Sequence, residues 1–196
     1  MFDGYKKYLE FLDKKLNSFF ECQKPYIFCK KGCAKCCKNA QFPYSNLEMQ
    51  YLMQGFINLN NTTKNIVKKN ISKLLKEKIG VKDFTYDCPF LVNDICSVYE
   101  YRGIICRKFG LLENSPDNRA KVPFCCYEGL NYSNIYDIET KTISSEKYKK
   151  NNFEVEPLGY NIQYSYLTGL EFEREFNIAF GEKRSLINWF EEYVLN

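Results

Sequence analysis

Residues 32–37 read "GCAKCC" and place Cys33, Cys36 and Cys37 within five positions, with Cys29 four residues before the first of them. A C-x3-C-x2-C run lets three sulfurs converge from one loop, as short cysteine spacings do in zinc and iron–sulfur sites. Adjacent side chains are expected to point in different directions. Cys36 and Cys37 therefore read as ligands of two centres, or as one ligand beside a supporting thiol. Cys125 and Cys126 repeat the pair. Cys88, Cys96 and Cys106 come from a separate stretch and supply corners that a local loop cannot. The candidate ligands number eight or nine, enough for two four-cysteine centres or one shared polynuclear cluster. Cys22, apart from the motif, reads as an ordinary buried thiol.

Other uses of the thiols are less economical. A chain of 196 residues buries a core without cross-links. Its ten cysteines are about 5% of residues, below the roughly 8–10% of disulfide-built scaffolds. "MFDGYKKYLEFLDKKLNSFF" carries charges every two to four residues and lacks the apolar run of a signal peptide. No later stretch reaches the ~20 apolar residues of a membrane span. The expectation is a soluble cytoplasmic protein with reduced thiols and no membrane partner. Histidine is absent, which removes the commonest general base and excludes Cys-His and Ser-His couples. The formal charge of +4 counts cysteines as neutral. Eight thiolates on two 2+ ions would add about −4, so the basic excess argues for no nucleic-acid partner.

Tyr5, Tyr8, Leu9, Leu12, Leu16 and Phe19 recur at three and four, predicting a helix over residues 3–20. Ser45 with Glu48 three residues on is a capping box opening a second helix. A third runs from Thr62 or Thr63 to a stop at Gly80. "CPFLVNDICSVYEYR" reads as two short β-prone runs joined at "ND", with Cys88 and Cys96 on its arms. Residues 110–126 read as loop, 137–157 as an exposed connector, and 163–195 as two closing helices separated near Gly181.

"FCKKGCAKCC", then "CPFLVNDICSVYEYRGIICRKFG" and a late "CC", resembles the YkgJ-type cysteine-cluster proteins, described as a zinc- or iron-chelating domain, over roughly residues 26–126. That family is similar to the flagellin lysine N-methylases. The resemblance implies Cys29, Cys33, Cys36, Cys37, Cys88, Cys96 and Cys106 as cluster cysteines, with Arg102 and Arg107 in the accompanying Y-x-x-R and C-R positions. Family members usually carry Pro where this chain has Gly103, a departure expected to loosen the turn and leave the ligands intact. A four-thiolate site on a 2+ ion carries about −2, and guanidinium donors to its sulfurs would offset that charge. The alternative pairs these arginines at the surface with Glu100 or Asp94.

The expected fold is mostly α with a small irregular β-hairpin, organised by cysteine-bound metal. It is read as one domain over residues 1–196, with a cysteine core at 26–128 between an N-terminal helix (1–25) and C-terminal helices (158–196). The metal ligands are Cys29, Cys33, Cys36, Cys37, Cys88, Cys96, Cys106, Cys125 and Cys126, with Arg102 and Arg107 behind them. Iron–sulfur, as a 4Fe–4S cluster, is favoured over zinc. The methylase resemblance implies a protein substrate and S-adenosylmethionine; a redox partner, or a zinc-held interaction module without catalysis, are the other expectations. No catalytic residue is assigned.

Overall fold

Tyr5, Tyr8, Leu9, Leu12 and Leu16 are all buried along one face of α1 (Asp3–Cys22), as their three-and-four spacing requires. The structure is a computed structural model describing residues 2–30, 32–114 and 120–193. About half of it is helical. The helices that follow are α2 (Asn46–Ile57), α3 (Asn61–Glu77), α4 (Ile104–Lys108), α5 (Ser145–Lys150), α6 (Tyr164–Leu167), α7 (Leu170–Phe176) and α8 (Leu186–Tyr193). The strands are β1 (Pro43–Ser45), β2 (Leu91–Val92), β3 (Ile95–Cys96), β4 (Glu113–Asn114), β5 (Ala120–Lys121), β6 (Tyr136–Asp137), β7 (Thr142–Ile143) and β8 (Lys183–Ser185). They pair two at a time and antiparallel, as β1–β8, β2–β3, β4–β5 and β6–β7. The chain forms two compact units that interleave along the sequence: residues 1–31 with 107–178, and residues 32–106 with 179–196.

In the first unit α1 lies against α7. Tyr8 packs on Phe172 and Phe176, with ring centroids 5.5 and 5.4 Å away, and its hydroxyl donates to the Leu167 carbonyl at 2.6 Å. A separate apolar cluster joins Tyr26, Leu112, Val122, Cys126, Tyr132, Ile135 and Tyr136. Asn131, fully buried, accepts from the N–H groups of Phe28 and Cys29 at 2.9 and 3.0 Å and donates to the Gly110 carbonyl at 2.9 Å.

The second unit is built on α2, α3 and α8. Ser45 and Glu48 form the capping box, each side chain receiving the other's backbone N–H. Asn60 caps α3 through Thr63 N–H at 2.9 Å. The β1–β8 ladder joins Pro43–Ser45 to Lys183–Ser185, the residues immediately before α8. The core beneath is aromatic and aliphatic: Phe42, Tyr44, Met49, Leu52, Val67, Ile71, Tyr86, Phe90, Trp189 and Phe190, among others, are buried together. Trp189 satisfies its indole N–H on the Tyr44 carbonyl at 2.9 Å. Burying each large apolar side chain contributes roughly 1.5–3 kcal/mol, and side chains of α2, α3 and α8 supply much of this core, with Cys88 and Cys96 packed against it.

Several expectations are corrected. The third helix is capped by Asn60 rather than by Thr62 or Thr63, and it ends at Glu77. The stretch taken as loop at 110–126 contains β4, β5 and a 3-10 helix at Phe124–Glu128. The polar "connector" at 137–157 holds β6, β7 and α5, whose N-cap is Ser144. The two closing helices are three short ones with β8 between them, the break at Gly181 falling before β8. Cys22 is exposed, not buried.

Candidate metal centre

In the second unit the segment after Cys37 is zipped to the segment before Cys88. Ala40 and Tyr86 each donate N–H to the other's carbonyl at 3.1 Å, and Cys88 N–H donates to the Cys37 carbonyl at 2.7 Å. Asn39, in the left-handed region at φ 48°, gives its N–H to the Asp87 carboxylate at 2.9 Å. Two cysteines far apart in sequence are thereby side by side. The chain then turns through Asn93 and Asp94, at φ 52° and 59°, the pair of left-handed residues that a two-residue hairpin needs. This turn pairs Leu91 with Cys96. Lys38 reaches the turn at Asp94 with 2.6 Å between charged atoms, an exposed pair of little energetic weight.

Cys106 arrives on α4 and is held from α2 and β1. Glu48 Oε1 accepts the Ile104 N–H at 2.8 Å, and Tyr44 Oη accepts the Gly103 N–H at 3.0 Å. Tyr44 Oη also lies 3.7 Å from Cys106 Sγ. Gly103 is required by this contact, because a Cβ there would meet Tyr44 Cζ at 2.6 Å and Oη at 2.9 Å. A proline would add the loss of the N–H. Gly103 thus lets the Tyr44 ring lie directly against the backbone that leads into α4. Gly103→Ala is expected to destabilise the fold by about 1–3 kcal/mol through overpacking, measured by urea unfolding; a wild-type midpoint would mean that Tyr44 yields freely.

Cys36, Cys37, Cys88, Cys96 and Cys106 share one electrostatic neighbourhood. Cys36 Sγ and Cys37 Sγ are 3.9 Å apart, so the adjacent side chains converge where divergence was expected. The Cys36 thiol is lowered to about 7, first by the hydrogen bond from Cys37 and further by the Arg102 guanidinium. Cys37 is pushed up by the same bond, then by burial and by Cys36, Cys88 and Cys106. Burial of the sulfur raises Cys88, which also feels Cys106, Cys96 and Cys36. Burial raises Cys96 and pushes Cys106 up to about 12. Burial combined with mutual repulsion keeps most of these groups as neutral thiols in the absence of a cation. Among the described residues no three Cys, Asp or Glu side chains stand in position to hold an ion as they are. The donor set nonetheless fits one: ions of charge 2+ draw thiolates out of neighbouring thiols and release their protons.

The remaining candidates are described each within its own unit. Cys33, half-buried, is in the same unit near Lys38, whose main partner is Asp94. Cys29 is exposed and belongs to the first unit, as do Cys125 and Cys126. Cys126 packs into the tyrosine-rich cluster of that unit, where burial pushes its thiol up to about 11. Arg102 stacks on Tyr99, 3.7 Å from the ring centroid, donates to its carbonyl at 2.8 Å, and acts electrostatically on Cys36 and Cys96. Arg107 is buried and paired with Asp13 of α1 at 2.5 Å. Asp94, offered as an arginine partner, is taken by Lys38. Tyr44 was missed as a site residue: it precedes the Ser45 cap, and no local spacing connects it to Cys106.

Residues 28–157 match the CxxCxxCC family model, described as "Putative zinc- or iron-chelating domain". These residues are most of the chain, and the protein belongs to this family of cysteine-cluster, metal-chelating domains. The match runs past the late cysteine pair to residue 157, further than the resemblance over 26–126. The family's name spells two residues between its first cysteines, whereas three separate Cys29 from Cys33 here, so Cys29 is offset by one position. No curated protein and no solved structure matches the chain; the likeness to flagellin methylases is carried by none of these comparisons. Among the described residues no helix is long and apolar enough to cross a membrane.

Proposed function

We propose that the protein chelates a zinc or iron ion in a tetrahedral thiolate site, drawing its ligands from Cys36, Cys37, Cys88, Cys96 and Cys106. The observation that carries this reading is the 3.9 Å between Cys36 Sγ and Cys37 Sγ. Two thiolates at about 2.3 Å from one tetrahedral ion lie about 3.8 Å apart. In a 4Fe–4S cubane each cysteine takes a different iron, and the sulfurs stand further apart. The adjacent pair therefore favours two ligands on one metal ion over the 4Fe–4S form favoured by sequence alone. Bound there, the ion supplies the positive charge that lets several buried thiols ionise together, and in the iron form a one-electron couple as well. The chain's own contribution is to bring the sulfur-bearing segments together through the 37–40/86–88 pairing, the Asn93–Asp94 turn and the Glu48 and Tyr44 contacts to the start of α4.

The test is metal content by mass spectrometry, with acid-labile sulfide, on protein purified without oxygen and on a serine scan of the cysteines. Bound zinc or iron without sulfide is expected, lost in the Cys36, Cys37, Cys88 and Cys106 variants and kept in the Cys125 and Cys126 variants. Stoichiometric sulfide with a visible chromophore would overturn the mononuclear form and turn the reading towards an electron-transfer module. Full metal content in the Cys88 and Cys106 variants would overturn the site.

A further inference from the structure

We infer that Tyr44 is a hydrogen-bond donor to the Cys106 sulfur, positioning and tuning that thiolate in the metal-bound protein. The inference rests on the chelation reading above. Tyr44 is 2% exposed, so its hydroxyl is withdrawn from bulk solvent. A buried phenol needs partners for its oxygen and its hydrogen. The oxygen is engaged from the backbone, where Gly103 N–H donates to it at 3.0 Å. The hydrogen is left for Cys106 Sγ, 3.7 Å away. A neutral thiol sulfur accepts weakly, whereas a thiolate is a charged acceptor that shortens and strengthens the bond. An N–H donated to the same oxygen polarises the phenol and makes it a better donor in turn. The phenol keeps its proton throughout, and no titration of Tyr44 is involved.

The geometry has a direction. Gly103 N–H, Tyr44 Oη and Cys106 Sγ form a chain that begins at the backbone and ends at sulfur, and the absence of a Cβ at residue 103 is what lets the ring approach. A donor to a coordinated thiolate withdraws charge from sulfur, which stabilises the anionic ligand and raises the energy needed to move an electron from sulfur to metal. Partners of this kind behind a ligand typically account for a 10–100-fold difference in metal affinity.

The probe is cobalt(II), loaded into the full-length wild type, Tyr44→Phe and Tyr132→Phe. Phenylalanine keeps the ring and removes only the hydroxyl. Tyr132 is a matched comparison in the first unit: it is buried, and its hydroxyl accepts the Leu112 N–H at 3.2 Å. It too loses a backbone partner when changed, which separates a general loss of stability from an effect on sulfur. The expected result is a sulfur-to-cobalt charge-transfer band in all three proteins. In Tyr44→Phe alone it moves to longer wavelength, with cobalt affinity about 10–100-fold weaker. A Tyr44→Phe band and affinity equal to wild type would overturn the inference and leave the chelation reading standing. Equal shifts in Tyr132→Phe would overturn it as well, by showing that they follow stability alone. A wild type without any thiolate–cobalt band would overturn the chelation reading, and the inference with it.

Discussion

Stripped of metal, the protein is expected to melt roughly 20 °C or more below the loaded form while keeping most of its helical signal. Structural thiolate sites contribute on the order of 10–16 kcal/mol, and a domain of this size loses about 2–4 °C of Tm per kcal/mol. The reason for retained helix is the second unit's own core, in which Met49 and Leu52 of α2, Val67, Ile71 and Leu74 of α3, and Trp189 and Phe190 of α8 are buried together. The reason for a large fall in Tm is that Tyr86, Phe90 and Val98 in the same core belong to the cysteine-bearing segment. Loosening the sulfurs removes those side chains from the core. Calorimetry and far-ultraviolet circular dichroism before and after chelation, with metal removal verified by mass spectrometry, measure both parts. An unchanged melt in verified metal-free protein would remove the metal from any structural role. Complete loss of helix would mean that the α2–α3–α8 core cannot stand by itself.

What was legible in the sequence follows the range of the interaction behind each element. The α1 face, the Ser45–Glu48 box and the "ND" turn are decided within four residues, and all three stand as read. Ser144 three residues before Lys147 carried the same kind of signal for α5, but it sat in a Lys-rich stretch whose lack of period suggested a connector. The β1–β8 ladder pairs Pro43–Ser45 with Lys183–Ser185, and three-residue strands carry no period to detect. The interleaving of the two units is invisible for the same reason. In the site, the crowding of cysteines pointed to metal, and the family match bears that out in its zinc- or iron-chelating description. The convergence of Cys36 and Cys37 was not legible, because it depends on the short 3-10 helix at Lys35–Cys37 and not on the residue types. The partners of Cys106 were hidden too, since Tyr44 and Glu48 reach the start of α4 from some sixty residues upstream.

Glu48→Ala is expected to cost about 3–6 kcal/mol and to weaken metal binding in the same variant, a larger effect than its place in a capping box implies. A cap alone contributes typically ~1 kcal/mol. Glu48 is 1% exposed, and its carboxylate accepts three bonds: Ser45 N–H at 2.9 Å and Ser45 Oγ–H at 2.7 Å on one oxygen, and Ile104 N–H at 2.8 Å on the other. Alanine leaves the Ser45 and Ile104 N–H groups without this acceptor, at about 1–3 kcal/mol for each buried orphan. Against a net stability of roughly 5–15 kcal/mol this brings the fold near its margin. Helix propensity works the other way, since alanine is the better helix former, so a loss well beyond the ~1 kcal/mol of a cap cannot come from α2 alone. The link to metal is positional: Ile104 opens α4, and Cys106 follows two residues later. Glu48→Gln separates the two oxygens, because its carbonyl can still accept from Ile104 while its amide opposes the Ser45 donors. It is expected to lose about half as much stability as Glu48→Ala and to keep more of the metal affinity. Urea unfolding and cobalt titration of both variants check this. A Glu48→Ala protein within about 1 kcal/mol of wild type would reduce Glu48 to an ordinary cap and leave the placement of Cys106 to Tyr44 and Gly103.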